Sequence, residues 1–338
     1  MTIKSSLAAV LLAAMSLAGA SAAPAMADES LRIAIPVPVL SYYSVFVARD
    51  KGFFKDQGID MEIVVTQGDG PDVDALIAGS VQFAATTPNR LLTAYQEGKP
   101  LLGALSIFNR IGINCFINKD KAEAAGIAED TPIDEKFAKL KGMTIGATRP
   151  GAFTYLVAVD YLKRAGLEPQ VDAQVIGAGA GPAMMAALEN GQIDVGCIAS
   201  PTPELAVSRG KSIMFTNNTQ GWDAKYDEFL FSMLYVRPDF AKEKPEMVRK
   251  VVAALKEAME FIVEAPFEEQ EQILRDSFGD VDEAILRESL ANTQAAIEPS
   301  GIISEKSYEA AVNFLIDTDA ISAAVPYEAV IDNSFQAE

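Results

Sequence analysis

The chain has 338 residues, 49% hydrophobic and 22% charged, with 47 acidic against 28 basic side chains and a formal net charge of −19. This is a globular composition, long enough for two domains at roughly 100–200 residues each, and its acidity argues against nucleic acid or anionic lipid as a partner. The chain contains no histidine, which excludes Ser-His-Asp and Cys-His nucleophile activation and most zinc sites.

At the N-terminus, Lys4 precedes an apolar run from Leu7 to Ala20, and small residues follow at Ala25-Met26-Ala27. The pattern predicts a signal peptide over 1–27, too short to span a bilayer and cleaved after Ala27. The first cysteine is Cys115, so none stands at the cleavage point to carry a lipid. Loss of 1–27 removes one lysine and no acid, taking the net charge from −19 to −20.

The segments LRIAIPV (31–37) and MEIVVTQ (61–67) read as strands, as do MTIGAT (143–148) and AQVIG (173–177) in the second half. In each half the first strand leads through a loop into a helix, which stops at Gly58-Ile59 in one and at Gly166-Leu167 in the other. Residues 75–99 and 187–211 repeat one another. Each carries Ala-Leu, a glycine, a strand-like run, a proline-containing turn and a closing Gly-Lys, and the intervals Gly79 to Gly98 and Gly191 to Gly210 are equal. A strand–helix alternation written twice predicts two open α/β lobes with largely parallel sheets.

Ligands of such sheets bind beyond the carboxyl ends of the strands. The candidate loops are therefore 36–43, 67–70 and 86–89 in lobe one, and 148–154, 177–181 and 200–203 in lobe two. From them we expect ligand contacts by Ser41, Tyr42, Tyr43, Gln67, Thr86, Thr87 and Asn89, and by Gly151, Phe153, Thr154, Gly179, Ser200 and Thr202. Hydroxyls, amides and glycines dominate these loops, which show no carboxylate pair; Thr86 and Asn89 read equally well as helix caps.

Arg149 sits just before a helix start, and Arg110 follows the strand LLGALSIF, so both are candidates to grip a carboxylate, sulfonate or phosphate. Arg90 reads as a solvated helix residue. The run Gly177-Ala-Gly-Ala-Gly181 lacks the spacing of a dinucleotide fingerprint and reads as an anion nest or hinge-like loop before a helix starting at Pro182.

LLGALSIF (101–108) and INCFINKD (113–120) read as strands, with a first crossing between lobes near 114–118; FLFSMLYVRPDF (229–240) reads as the return. This divides the mature chain into lobe one (28–115 with 236–338) and lobe two (116–235). Met247, Val251, Leu255, Met259 and Ile262 form one apolar helical stripe, and helices over 267–277, 281–296 and 304–316 complete the chain against lobe one. Cys115 and Cys197 read as buried thiols; a disulfide between them is chemically open in an oxidising compartment, but sequence alone does not bring them together. Trp222 lies in a polar stretch, as a cleft-edge aromatic or a surface anchor.

The run VARDKGFFKDQGIDMEIV (47–64), with ALIAGSVQFA, LKGMTIGATRPGAFTYLVAVDYLKRAGL (140–167) and ALENGQIDVG, resembles the periplasmic substrate-binding proteins of ABC importers. It is similar to the branch that handles taurine, alkanesulfonates, nitrate and the pyrimidine precursor of thiamine. The resemblance implies a type II periplasmic-binding-protein fold: two α/β lobes, a two-strand hinge, and C-terminal helices packed on lobe one. It also implies a monomeric periplasmic carrier, without enzymatic activity, cofactor or metal, that delivers its ligand to a membrane permease. An anion of the taurine, sulfonate or nitrate type is the expected ligand; a neutral pyrimidine or aromatic compound, or a sensor that signals to a membrane receptor, are the alternatives. A yeast relative of this branch is an enzyme that consumes its own histidine and pyridoxal phosphate, which a chain without histidine cannot do.

Overall fold

The computed structural model describes residues 28–279 and 281–336; the expected signal peptide and its cleavage point lie outside them. Ten strands run in chain order: β1 Glu29–Ile35, β2 Ile59–Val65, β3 Phe83–Thr86, β4 Leu102–Arg110, β5 Asn114–Asn118, β6 Thr144–Ala147, β7 Gln174–Gly177, β8 Val195–Ile198, β9 Ser212–Thr216 and β10 Asp227–Val236. They form two five-stranded sheets, ordered β2-β1-β3-β10-β4 and β7-β6-β8-β5-β9.

The two orders are one pattern used twice. β1 pairs in parallel with β2 and β3, and β6 does the same with β7 and β8. In each sheet the fourth strand is antiparallel and comes from a crossing: β10 lies between β3 and β4, and β5 between β8 and β9. β4 leads into β5, and β9 leads to β10, so two connections pass between the lobes as a hinge. The duplication read from the glycine spacing is thus present in the topology.

The lobe boundary differs from the expectation. β5 belongs wholly to the second sheet and β10 wholly to the first, so the crossings are 111–113 and 217–226, and 227–235 lies in lobe one. The run from Phe229 to Val236 is apolar at nearly every position because β10 sits inside its sheet with both faces covered; all eight residues are buried. An interior strand of that kind carries no periodic signal that would separate it from a crossing segment.

The apolar stripe on helix 245–264 buries Val248, Val251, Val252, Leu255, Met259 and Ile262, each at most 1% exposed. Against leaving them in water, each such side chain contributes on the order of 1.5–3 kcal/mol. This helix packs on helices 43–50 and 53–56 of lobe one. The later helices 267–278, 283–296 and 305–317 follow the expected spans closely. Two of them also reach lobe two: Asn292 donates to Glu204 at 2.6 Å, and the ring of Phe314 stacks on Phe153 with centroids 5.0 Å apart.

Cys115 and Cys197 are directly opposed on the antiparallel pair β5/β8, and they form a disulfide. Opposed residues in such ladders lie near disulfide reach. They are therefore not the two thiols that the sequence suggests.

Candidate functional site

The first helix of each lobe follows a loop that leaves the carboxyl end of its first strand, so the loops after β1, β2 and β3 meet those after β6 and β8. The lobes touch directly: the Leu40 N–H donates to the Ser200 carbonyl at 3.0 Å. Between them lies a cavity of about 30 Å³, room for one or two water molecules. Ser41, Tyr42, Asp69 and Thr87 line it from one lobe, and Thr148, Phe153, Thr154 and Ile198 from the other, with Val37, Val39, Ile113 and Phe231 among the apolar walls. Val37 and Val39 also border an outer groove of about 540 Å³, walled by Pro38, Val65, Met185, Leu205, Phe278 and Val281. Small-molecule sites commonly measure ~300–1,000 Å³.

The charged centre of the cavity is Asp69, which the sequence reading did not single out. One carboxylate oxygen accepts from the backbone N–H of Phe153 at 3.0 Å, so a lobe-one side chain sits on the N-terminus of the lobe-two helix 153–164. That end carries unpaired N–H groups and the positive end of the helix dipole. Burial, and then the neighbouring Asp72, push the Asp69 carboxyl up to about 6, while the Phe153 N–H, Arg149 and Arg90 act in the opposite direction. Asp72 is fully buried; one of its oxygens accepts from the Gly70 and Val73 N–H groups at 2.6 and 2.8 Å, and the other has no partner. Burial raises its carboxyl as well. Asp69, in loop 67–70, therefore faces a second carboxylate from just beyond that loop, Asp72 in the first turn of helix 71–77.

Arg149 reaches across the cleft and lies flat on this loop. A Cβ at Gly70 would stand 2.7 Å from its guanidinium, and one at Gly68 would stand 3.3 Å from it. Both glycines have positive φ, 112° and 138°, so the close approach and the backbone shape both require glycine there. Arg149 makes contact with loop 68–70 and does not line the cavity. Arg90 pairs with Asp74 at 3.5 Å.

Of the residues expected from sequence, Ser41, Tyr42, Thr87, Phe153 and Thr154 line the inner cavity, and Gln67 and Thr202 the outer groove. Ser41 is 2% exposed and its hydroxyl has no partner. Thr154 accepts from the Thr148 N–H at 3.0 Å, fixing the loop after β6. Thr87 donates to Asn89 at 2.8 Å; it occupies the N-cap position of helix 88–96 without a side-chain bond to that helix, and Asn89 lies behind it. Thr86 is buried beside Tyr42 and Asp72.

The remaining expected residues lie elsewhere. Tyr43 points into the core, where it donates to the Gln270 carbonyl and packs on Phe278. Arg110 is held by Asp227 at 2.9 Å and by the Thr219 carbonyl at 3.1 Å, at the hinge. Ser200 donates to Glu204 at 2.6 Å. Gly151 faces open space, and Gly179 packs near Ala183. Trp222, 39% exposed, covers the ammonium of Lys136 at 4.8 Å and lines neither the cavity nor the groove. Among the described residues, no cluster of three or more acidic or cysteine side chains is arranged to hold a metal ion.

The family model described as NMT1/THI5 like matches residues 41–269. The chain belongs to the NMT1/THI5-like family. Its solved structural neighbours share the fold at low identity. A protein from Bordetella bronchiseptica RB50 superposes with a TM-score of 0.79 at 23% identity, covering 91% of this chain and 95% of the other. The periplasmic nitrate-binding protein NrtA from Synechocystis PCC 6803 gives 0.69 at 20%, covering 90% and 86%. The periplasmic aliphatic sulphonate binding protein SsuA from Escherichia coli gives 0.64 at 18%, covering 86% of each. In sequence, the chain is 25% identical over 240 residues to 4-amino-5-hydroxymethyl-2-methylpyrimidine phosphate synthase THI5 of Saccharomyces cerevisiae. That match covers 68% of this chain and 65% of the yeast protein. The fold is that of the periplasmic ligand-binding components of ABC importers, with type II strand order in both lobes, as the sequence resemblance implies.

Proposed function

We propose that the protein, once exported to the periplasm, captures a small molecule between its lobes and presents the closed form to the permease of an ABC importer. It acts as a monomeric carrier and performs no chemistry on its cargo. The observation that carries this reading is the cavity itself, whose walls come from both lobes, mostly from their strand-end loops. A site of that construction exists only when the lobes meet, so a ligand in it biases the open–closed equilibrium by its affinity for the closed state. The absence of histidine from a chain related to a synthase supports binding over catalysis.

The lining bears on the class of cargo. The anion expected from sequence drew its support from Arg110 and Arg149; one is held at the hinge by Asp227, and the other lies outside the cavity. Tyr42, Phe153 and Phe231 supply flat apolar walls instead, which supports the alternative of a neutral pyrimidine or aromatic compound.

The test is a thermal-shift panel on the mature protein, unfolded and refolded to strip bound cargo, followed by small-angle scattering with each hit. A ligand that binds only the folded state raises the melting temperature with concentration, and in this reading it also shrinks the radius of gyration. A ligand that stabilises the protein while leaving the scattering curve unchanged would refute capture by closure.

A further inference from the structure

We propose that Asp69 is a resident counter-charge that occupies the anion seat of the cleft, so that the site rejects oxyanions and takes a ligand offering N–H donors on an apolar or aromatic body. This deepens the carrier reading and rests on it.

The seat is the N-terminus of helix 153–164, the one lobe-two helix end that opens on the cavity beside Thr148 and Thr154. An exposed helix start of this length attracts an oxyanion through its free N–H groups. Here the Phe153 N–H is already bonded to the Asp69 carboxylate at 3.0 Å, delivered from the opposite lobe. An incoming sulfonate, carboxylate or nitrate would have to displace Asp69 and then sit against both it and Asp72. Like charges in one buried site repel; Arg149 and Arg90 counter this from behind the loop, outside the cavity lining, but burial and Asp72 outweigh them at Asp69.

A second, independent group points to a ligand. Ser41 is 2% exposed and lines the same cavity, and its hydroxyl has no hydrogen-bond partner. Buried polar atoms are rarely left unpaired, and a functional site is one setting where they are. Asp69 accepts and Ser41 donates or accepts, so together they suit an amine, amidine or amino-substituted heteroaromatic ring. The apolar part of the lining is Val37, Val39, Ile113, Phe153, Ile198 and Phe231, beside the hydroxyls of Tyr42, Thr87, Thr148 and Thr154, and the groove beyond is largely apolar. That placement orients the ligand, with its nitrogen end inward at Asp69 and its apolar body along the groove.

The test uses full-length mature protein with Asp69→Asn and Ser41→Ala, and isothermal titration of benzylamine, benzamidine and 2-aminopyridine against benzoate, benzenesulfonate, taurine and nitrate. Wild type is expected to bind members of the nitrogen set and none of the anions. A hydrogen bond to a charged group contributes about 1.5–3 kcal/mol, so D69N is expected to weaken nitrogen ligands by about 10- to 150-fold and to admit anions. S41A is expected to weaken the same ligands by a smaller factor, about 2- to 10-fold, and to leave anion rejection intact. Wild type binding anions as well as D69N does would overturn the inference and leave the carrier reading standing. Binding of neither set, with scattering unchanged by every compound, would overturn both.

Discussion

Replacing Asp69 by Asn changes one atom and removes one titration, so its effect on stability can be worked from the structure. In the folded protein the Asp69 carboxyl lies at about 6 instead of 3.8, chiefly through burial and the proximity of Asp72, with Arg149, Arg90 and the Phe153 N–H pulling down. At about 1.4 kcal/mol per tenfold change, that rise amounts to about 3 kcal/mol. The folded state therefore binds the proton more tightly than the unfolded chain does. The contribution is fully present below about pH 4, falls as pH rises, and is lost above about pH 6. Asn cannot ionise, yet its side-chain oxygen still accepts from Phe153. D69N should therefore be more stable than wild type at pH 7.5 by up to about 3 kcal/mol, and equal to it near pH 4. With about 2.1 cal/mol/K of unfolding entropy per residue, a mature chain of about 310 residues gains about 4–5 °C in Tm. Differential scanning calorimetry of both proteins from pH 4 to 8 reads this directly. A difference that does not change with pH, or a variant less stable at pH 7.5, would refute the reasoning by showing that Arg149 and Arg90 make the charged form a net stabiliser.

Three further outcomes are expected. The disulfide between Cys115 and Cys197 closes a loop of 82 residues within lobe two, which in the chain-entropy picture stabilises by about 4.5 kcal/mol; urea unfolding of the oxidised and reduced protein should differ by that order, and coincident curves would count against it. Asp160 and Asp223 are buried at 2% and 3% exposure and both face Arg164, with Lys225 and the Tyr226 hydroxyl also on Asp160. Arg164→Met leaves Asp223 buried without its cation and should cost about 3–5 kcal/mol; a loss under about 1 kcal/mol in the same assay would show that water enters the cluster. Glu204 is buried at 1% exposure and its carboxyl is raised by that burial, against donors Ser200 and Asn292. Its raised value makes its contribution fade as pH rises, so Glu204→Gln should melt higher than wild type at neutral pH and converge with it in acid; a gain that persists in acid would contradict this.

The fold was legible because the strands of the parallel cores are short, mostly apolar runs set between glycine-ended helices, and because the duplication repeats that punctuation. β10 and β5 were legible as strands but their lobe was not, since sheet membership of a strand at a crossing depends on pairing with strands far away in sequence. The cleft loops were found by the strand-end rule, which is local. What the rule could not supply is the direction of a side chain. Tyr42 and Tyr43 are neighbours in sequence, yet one lines the cavity and the other turns into the core. Arg110 reads as a free cation until Asp227, on a distant strand, is placed beside it. Asp69 stood inside a nominated loop, but its meaning comes from Phe153 on the other lobe, and no sequence pattern announces a bond across a cleft. The two cysteines, 82 positions apart, pair for the same long-range reason.

Asp69 also sets how the lobes would couple to their cargo. In the carrier reading the open form exposes this carboxylate to water, and closure carries it, with its neighbour Asp72, into the cavity against the start of helix 153–164 and Arg149. Closure without a ligand must therefore either desolvate the charge or take up a proton. A ligand donating N–H groups to Asp69 removes much of that cost, so it is bound preferentially by the closed form, which is the condition for shifting the equilibrium. An anion leaves the cost in place and adds repulsion. In the same reading, the residue that excludes the wrong charge also favours the open form of the empty protein at neutral pH. The two roles predict a common signature: in D69N the ligand-free protein should scatter as a more compact particle than wild type at pH 7.5, and wild type should approach it as the pH falls through about 6. Equal radii of gyration for the two ligand-free proteins across that range would separate the roles and remove Asp69 from control of closure.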